Sequence, residues 1–224
     1  MSLLTNLISY YKLSDTSDSV GSNTLTNTGS VDFTQTGKLG GTTKCATGTN
    51  TTGGYLKVAS DLGYNSASSN TWNFWYKSAA SMSSGYIMDV ISGTNTIRGI
   101  VYEDGSTKKL HGFANGNEVL SGVLTQNMWY MVTLTKSGTA WEFFINGISQ
   151  GTTTTGGGSY TATAGFMLLN GLQTGGIQTT SSVDECGIWS RVLSSTEVTQ
   201  LYNGGAGLQY PFSGGGASFL FNFL

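Results

Sequence analysis

A two-residue apolar period, repeated in short runs between clusters of Gly, Ser, Asn and Thr, most limits what this chain can become. The runs are Leu7–Leu13, Gly54–Val58, Thr71–Lys77, Tyr86–Ile91, Ile97–Tyr102, Lys109–Asn115, Trp129–Lys136, Trp141–Ile145, Gly165–Leu169 and Val183–Trp189. Alternation of this kind buries one face of a strand, and short strands with turn residues between them build a sandwich or barrel. Turn chemistry falls where the runs break. Glu103-Asp104-Gly105 separates two runs, and Asn146-Gly147 follows Phe143-Phe144-Ile145 as a tight hairpin requires. No linker or internal repeat divides the 224 residues, so a single domain is expected.

Composition agrees and excludes several roles. Apolar residues make up 38% of the chain, enough for a substantial core, while charged residues make up 10%, against roughly 25% in an average globular protein. Solubility therefore rests on Thr, Ser, Asn and Gly. The net charge is −2, and Lys108-Lys109 is the only adjacent basic pair, which argues against nucleic acid as a partner. Two cysteines, Cys45 and Cys186, are too few for a disulfide framework. The start MSLLTNLISYYKLSD lacks the layout of a signal peptide, and no stretch approaches the ~20 apolar residues of a membrane helix. A soluble protein made without conventional export is expected.

One segment carries helical signals. Ser194 followed by Glu197 forms a capping box, Leu193 and Val198 sit where a hydrophobic staple places them, and Gly204 closes the run. A helix over about 195–203 is too short to stand alone, so Val198, Leu201 and Tyr202 are expected to pack on the sandwich.

The order of these pieces resembles the laminin-G-like jelly rolls of the concanavalin A-like lectin/glucanase superfamily. The resemblance rests on Leu7-Ile8-Ser9-Tyr10-Tyr11-Lys12-Leu13-Ser14-Asp15, Gly37-Lys38-Leu39-Gly40-Gly41 and Trp72-Asn73-Phe74-Trp75-Tyr76-Lys77. It continues through Trp129-Tyr130-Met131-Val132, Phe144-Ile145-Asn146-Gly147, and Val183-Asp184-Glu185-Cys186-Gly187-Ile188-Trp189 with the capped helix behind it. It implies an all-β fold: a two-sheet antiparallel jelly-roll sandwich with one short C-terminal α-helix, spanning residues 1–212. It fixes the fold and not the function, because this fold hosts lectins, hydrolases and structural modules. It also implies a calcium site near Asp15, Asp18 and Asp184, with backbone carbonyls completing the shell; Asx turns account equally for Asp15 and Asp18. Cys45 and Cys186 stand where relatives carry apolar residues, so both are expected to point inward, as apolar fillers or as a disulfide.

Catalytic patterns are missing. Glycoside hydrolases of this superfamily place two acids at fixed spacing on one strand so that both face the cleft. None of the twelve acidic residues repeats that spacing. Asp184 and Glu185 are adjacent and, on a regular strand, face opposite sides; Glu103 and Asp104 belong to a turn. His111, the only histidine, has no nucleophile elbow around it and reads as a surface or edge-strand residue. One His and two distant Cys cannot supply a zinc site, and Gly156-Gly157-Gly158 lacks the Lys-Ser/Thr of a phosphate loop. The chain is expected not to be an enzyme. Period two sends Trp72, Phe74 and Tyr76 to one face and Trp75 to the other, and Trp75 and Trp129 fall at structural positions of the family. Loop tyrosines Tyr64, Tyr86 and Tyr160 are freer to meet a ligand, and the sequence does not rank them.

After residue 212 the chain continues as a glycine leash and an apolar arm, SGGGASFLFNFL. In an extended arm Phe219, Phe221 and Phe223 share one face, with Leu220, Asn222 and Leu224 on the other. Such a segment invites strand addition to another chain; the competing account folds it back on its own sandwich. Together these features point to a non-enzymatic bacteriophage virion surface or decoration protein, of head-fibre or tail-associated type. It would be assembled in the host cytoplasm, be anchored through the arm to itself or to other capsid proteins, and meet host glycans with its loops. The alternative is an extracellular carbohydrate-binding module of a secreted bacterial protein.

Overall fold

All ten alternating runs become strands, and five further strands join them. The computed structural model describes residues 2–29, 31–39, 44–47, 54–65, 67–92, 98–157, 165–169 and 179–212, with the backbone alone at 44 and 45. In chain order the strands are β1 (Leu7–Tyr11), β2 (Thr26–Thr28), β3 (Asp32–Thr36), β4 (Lys44–Thr47), β5 (Tyr55–Val58), β6 (Ser69–Lys77), β7 (Gly85–Ile91) and β8 (Arg98–Asp104). They continue with β9 (Lys109–Ala114), β10 (Asn117–Leu120), β11 (Trp129–Ser137), β12 (Ala140–Ile145), β13 (Ile148–Thr154), β14 (Gly165–Leu168) and β15 (Ser182–Trp189). Every described pairing is antiparallel. The first sheet runs β13-β12-β11-β6-β15-β4-β3, with β1 also paired to β15, and the second runs β10-β9-β8-β7-β14-β5-β2. This is the expected all-β two-sheet sandwich of jelly-roll type.

The sheets meet through the rows that the alternation selects. Trp72, Phe74 and Tyr76 of β6, Phe143 of β12, Val101 of β8 and Phe166 of β14 share one core, together with the buried free thiol of Cys186. Burial raises that thiol's pKa, so it behaves as an apolar filler; the Cys45 side chain lies outside the described residues. Glycines mark the closest approaches. A Cβ on Gly99 would stand 2.8 Å from the Trp141 ring, and one on Gly112 would stand 2.9 Å from Phe143. The Asn146-Gly147 pair is left-handed at both residues (φ 53° and 79°) and joins β12 to β13, the two-residue hairpin its sequence requires.

A second apolar layer covers the outer face of the first sheet. Helix α1 (Ser195–Tyr202) begins at Ser194 with the full capping box, and Glu197 also accepts two hydrogen bonds from Arg191. Those bonds pull the Glu197 carboxyl down to about 2. The helix buries Val198 and Leu201 with Leu193, Trp75, Met131, Phe144 and Trp189. Asn203, in the left-handed conformation, caps its C-terminus one residue before the glycine expected there. Ser194→Ala is expected to lower stability by about 1 kcal/mol, read as a small drop in the urea midpoint with an unchanged slope.

The chain past the helix does not leave at once. Leu208 N–H donates to the Leu201 carbonyl, and Tyr210 and Phe212 close over Tyr10 at ring centroids 5.4 and 5.5 Å away. Phe212 also stacks on Trp189 at 6.2 Å. Residues 206–212 are therefore a strap over β1 and β15. The arm, with Phe219, Leu220, Phe221, Phe223 and Leu224, lies outside the described residues, and among those that are described no helix is long and apolar enough to cross a membrane.

Candidate functional site

On the outer face of the second sheet Tyr86, Tyr102, His111 and Phe113 are half-buried, whereas Asp89, Ile100 and Met167 on the same face are buried. Registers define its rows. Tyr86 of β7 stands opposite Tyr102 of β8, which stands opposite His111 of β9. In the next row Asp89, Ile100 and Phe113 align, with Met167 of β14 and Lys57 of β5 beyond Asp89. The same strands send Val101, Leu110 and Ala114 inward, so period two itself exports this set.

Within the face, Tyr86 and Tyr102 meet edge to face at 5.1 Å, Tyr102 meets His111 at 5.7 Å, and His111 lies nearly parallel to Phe113 at 5.8 Å. All four rings are half-buried: they pack on one another and still present surface to solvent. Charges surround them. His111 Nδ1 lies 2.8 Å from Glu118 Oε2, and the Asp104 carboxylate stands 3.7 Å from Nε2. Thr107 and Ser106 hydrogen-bond to Asp104 and lower its pKa, which keeps it ionised. At the far side Arg98 makes two 2.7 Å bonds to Asp89 and lies 6.0 Å from the Tyr86 ring centre. Aromatic rings with a few oriented polar groups are what a ligand rich in both C–H and O–H groups needs.

Most side chains singled out from the sequence lie elsewhere. Tyr64 is no free loop residue: it is buried in the core, edge-on to Trp72 at 5.4 Å and to Trp141 at 6.2 Å. Tyr86 does line the face, and Tyr160 lies outside the described residues. Trp75 is buried between Lys38, 4.6 Å above its ring, and Tyr202, stacked at 6.0 Å. Trp129 is half-buried under Lys77 at 5.0 Å. His111 sits one strand in from the β10 edge, not on the edge itself. The tyrosine–histidine row went unseen because its members come from three strands, and only pairing aligns them.

The three aspartates weighed for calcium are not gathered. Asp15 caps an Asx turn through Ser17 N–H at 2.7 Å. Asp18 accepts backbone N–H groups from Tyr10, Val20 and Asn23 at 3.0–3.2 Å, organising the loop after β1. Asp184 accepts Lys38 N–H at 2.6 Å. Asp15 and Asp18 face donors, while Asp184 keeps one buried oxygen, Oδ1, without a hydrogen-bond partner; no group of three His, Cys, Asp or Glu among the described residues is placed to hold a metal. As a set they do not fit calcium.

Asp184 and Glu185 correct a second expectation. A bulge interrupts the pairing of β15 with β6 between Asp184 and Gly187, and Glu185 takes φ 51°. The bulge adds a residue and cancels the alternation. Both carboxyls therefore reach the outer side, Asp184 beside Trp75 and Glu185 under Tyr10 and Gln209, which both donate to it. They are buried beneath the strap rather than open in a cleft. Glu103 is likewise no turn residue. It lies in β8, one residue before the strand ends, faces inward and receives hydrogen bonds from Tyr76, Ser181 and Thr179.

Comparison with known proteins places this geometry. The model of a family described as the concanavalin A-like lectin/glucanases superfamily matches residues 50–199. Among solved structures, the binding domain of botulinum neurotoxin serotype D superposes with a TM-score of 0.66 at 13% identity, over 89% of this chain and 52% of that one. The binding domain of botulinum neurotoxin DC in complex with rat synaptotagmin II gives 0.65 at 14% identity, over 91% and 52%. The chain thus spans about half the length of these toxin domains. Domain 4 of AbnA, a GH43 extracellular arabinanase from Geobacillus stearothermophilus in complex with arabinotriose, gives 0.62 at 19% identity, over 87% of this chain and 97% of that domain. No curated protein matches in sequence. The shared property is the fold of carbohydrate- and receptor-binding domains.

Proposed function

The chain belongs to the concanavalin A-like lectin/glucanase superfamily, and on that premise we propose that it is a non-catalytic glycan-binding module using the outer face of its second sheet. The observation that carries this reading is the half-exposed row Tyr86–Tyr102–His111 with Phe113 beside it, flanked by the carboxylates of Asp104 and Glu118. The rings offer flat apolar surfaces to sugar C–H groups, and the carboxylates of Asp104 and Glu118 offer partners to hydroxyls. The buried acids argue for binding over hydrolysis, since Asp184, Glu185 and Glu103 are each committed to internal donors.

The setting that suits the sequence is a bacteriophage virion surface, reached by assembly in the host cytoplasm, with the module displayed outward and the C-terminal arm as its anchor. Support comes from the Thr/Ser/Gly-rich, weakly charged chain and from the apolar segment appended after the strap. A second reading, an extracellular module attached to a secreted polysaccharide-degrading enzyme, is favoured by the 97% coverage of the arabinanase domain.

A glycan array probed with the purified chain tests the binding, with EDTA in a parallel arm to expose any calcium requirement. Tyr102→Ala is expected to weaken the best hit about 30-fold, the effect of truncating a central aromatic anchor worth about 2 kcal/mol, with a cooperative melting transition that shows the chain is still folded. Retention of full affinity by Tyr102→Ala, or silence across the array, would remove the proposed face. Genes for capsid or tail proteins beside this one would favour the virion over the secreted setting.

A further inference from the structure

We propose that the outer face of the first sheet carries a second saccharide site, a cavity built on Thr135, Glu142 and Thr152 that takes one neutral sugar ring. The inference rests on reading the chain as a glycan-binding module, and it adds a site on the sheet opposite the aromatic row.

The strands put a polar row on this face. Along β11, Met131, Thr133, Thr135 and Ser137 point outward, because period two alternates them with Val132 and Leu134 of the core. Their surroundings change in order. Met131 joins the apolar layer beneath helix α1. The Thr133 hydroxyl accepts a bond from the Asn73 amide at 2.7 Å. Thr135 is only 3% exposed, yet its hydroxyl has no hydrogen-bond partner among the described residues. A buried hydroxyl is normally bonded, so this one marks a place for a partner. Register sets Thr135 between Thr71 of β6 and Glu142 of β12, and sets Glu142 opposite Thr152 of β13.

The loop after β15 makes the facing wall. The Thr71 hydroxyl donates to the Arg191 carbonyl and accepts the Leu193 N–H, both at 2.9 Å, and so pins the loop across one end of the row. Arg191 is fixed in turn by two bonds to Glu197 and one to the Thr5 carbonyl. Val192, between the pinned residues, borders a cavity of about 140 Å³ whose other side is lined by Thr135, Ser137, Ala140, Glu142 and Thr152. A water needs about 10–15 Å³ of such space, so the cavity admits a group of about ten non-hydrogen atoms, the size of one sugar ring. Val192 also borders an open cleft of about 540 Å³ that runs past Asn6, Ser194 and Glu197. That cleft gives a longer glycan room to continue.

The lining selects a neutral sugar. The hydroxyls of Thr135, Ser137 and Thr152 each donate and accept. Glu142 is the only charged side chain on the wall. Its Oε1 accepts from the Ser149 hydroxyl, and its Oε2 has no partner among the described residues. A carboxylate repels anions and forms charge-assisted bonds with sugar hydroxyls. An ammonium group would use the carboxylate, but it only donates and would leave the three hydroxyl protons without acceptors. Val192 and Ala140 meet sugar C–H groups. Because the walls are pinned, little is ordered on binding, and a single ring is expected to bind with a Kd on the order of millimolar.

Titration of the isotope-labelled full chain with free glucose, galactose, mannose and xylose, followed through its amide NMR shifts, tests the site. At least one sugar is expected to shift the amides of Thr135, Glu142, Thr152 and Val192. Glu142→Gln, which keeps the shape and loses the charge, is expected to weaken that binding about tenfold. Thr152→Trp, which fills the cavity from an exposed position, is expected to abolish it. Unchanged amide shifts in the core between the sheets would show that both variants fold. Silence at the cavity with every sugar, or cavity shifts that persist in both variants, overturns the proposal. Shifts confined to Tyr86, Tyr102 and His111 overturn it too, and leave the aromatic face standing. Cavity shifts that survive Tyr102→Ala, with no response on the aromatic face, support the second site and remove the first.

Discussion

Arg98→Ala is expected to destabilise the protein by about 3–5 kcal/mol, the cost of leaving a buried charge without its partner. Arg98 and Asp89 hold each other by two 2.7 Å bonds on neighbouring strands of the second sheet, and Asp89 is fully buried. With the guanidinium gone, the carboxylate must either stay charged in an apolar layer beside Ile91, Ile100 and Met167 or take up a proton. The loss is set against a total stability of about 5–15 kcal/mol, so the variant should unfold at a much lower urea concentration. Adding Asp89→Leu should return part of the loss at neutral pH, because no carboxylate is then left buried without its guanidinium. A midpoint for Arg98→Ala within error of the parent would show that water reaches the pair. The pair lies in the row beside Tyr86 and Tyr102 on the same face, so it also sets how rigidly the proposed binding face is held.

The second large effect is a loss of stability as pH rises. Burial pushes the Asp184 carboxyl up to about 8, and neighbouring Glu185 adds to the shift; burial also raises Glu185 and Glu103. In the unfolded chain an aspartate titrates near 3.9. Between about pH 4 and 8 the folded protein keeps a proton that the unfolded chain releases, so stability is fullest below pH 4 and falls as pH climbs toward 8. The slope for one proton is about 1.4 kcal/mol per pH unit, and the three acids act in the same direction. Glu197 works oppositely: held at about 2 by Arg191, it contributes above its unfolded value near 4.3 and fades as pH falls toward 2. The thermal midpoint is therefore expected to peak in mildly acidic solution and to drop clearly by pH 8. Asp184→Asn, whose amide oxygen still accepts the Lys38 N–H, should flatten that drop and exceed the parent at pH 8. An unchanged midpoint from pH 5 to 8 in the parent would mean that the acids under the strap and in the core are hydrated. If the drop occurs, Gln209 and Tyr10 are the first contacts strained, since both donate to Glu185.

The strands that sequence patterning found and those it missed divide along a physical line. All ten alternating runs lie in strands that bury a face. The unforeseen strands are β2, β3, β4, β10 and β13, and four of these are the sheet edges. Edge strands bury little: β13 reads ISQGTTT with most positions exposed, and β2 reads TNT. Without burial there is no apolar period to read. A signal for β10 was present in Asn115-Gly116, both left-handed at the turn that joins it to β9. The capped helix was legible to its start because a capping box is a local device; its end shifted to Asn203, a left-handed asparagine doing what glycine was expected to do.

The candidate site was less legible. Tyr64 looked like a loop residue because its neighbours are Gly63 and Asn65, yet that loop folds inward to fill the space beside Trp72 and Trp141. Asp184 and Glu185 looked divergent because a regular strand alternates, and a bulge is a local event that depends on where β1 and β4 meet β15 end to end.

By itself, then, the sequence determined the fold class, the inward rows of the sheets and the helix start, because periodicity and caps act between residues close in the chain. Only the tertiary structure decided which side chains share the outer face of the second sheet and where the two β15 acids point. Those depend on register between strands far apart in the chain, and a shift of one residue exchanges the two faces of a strand.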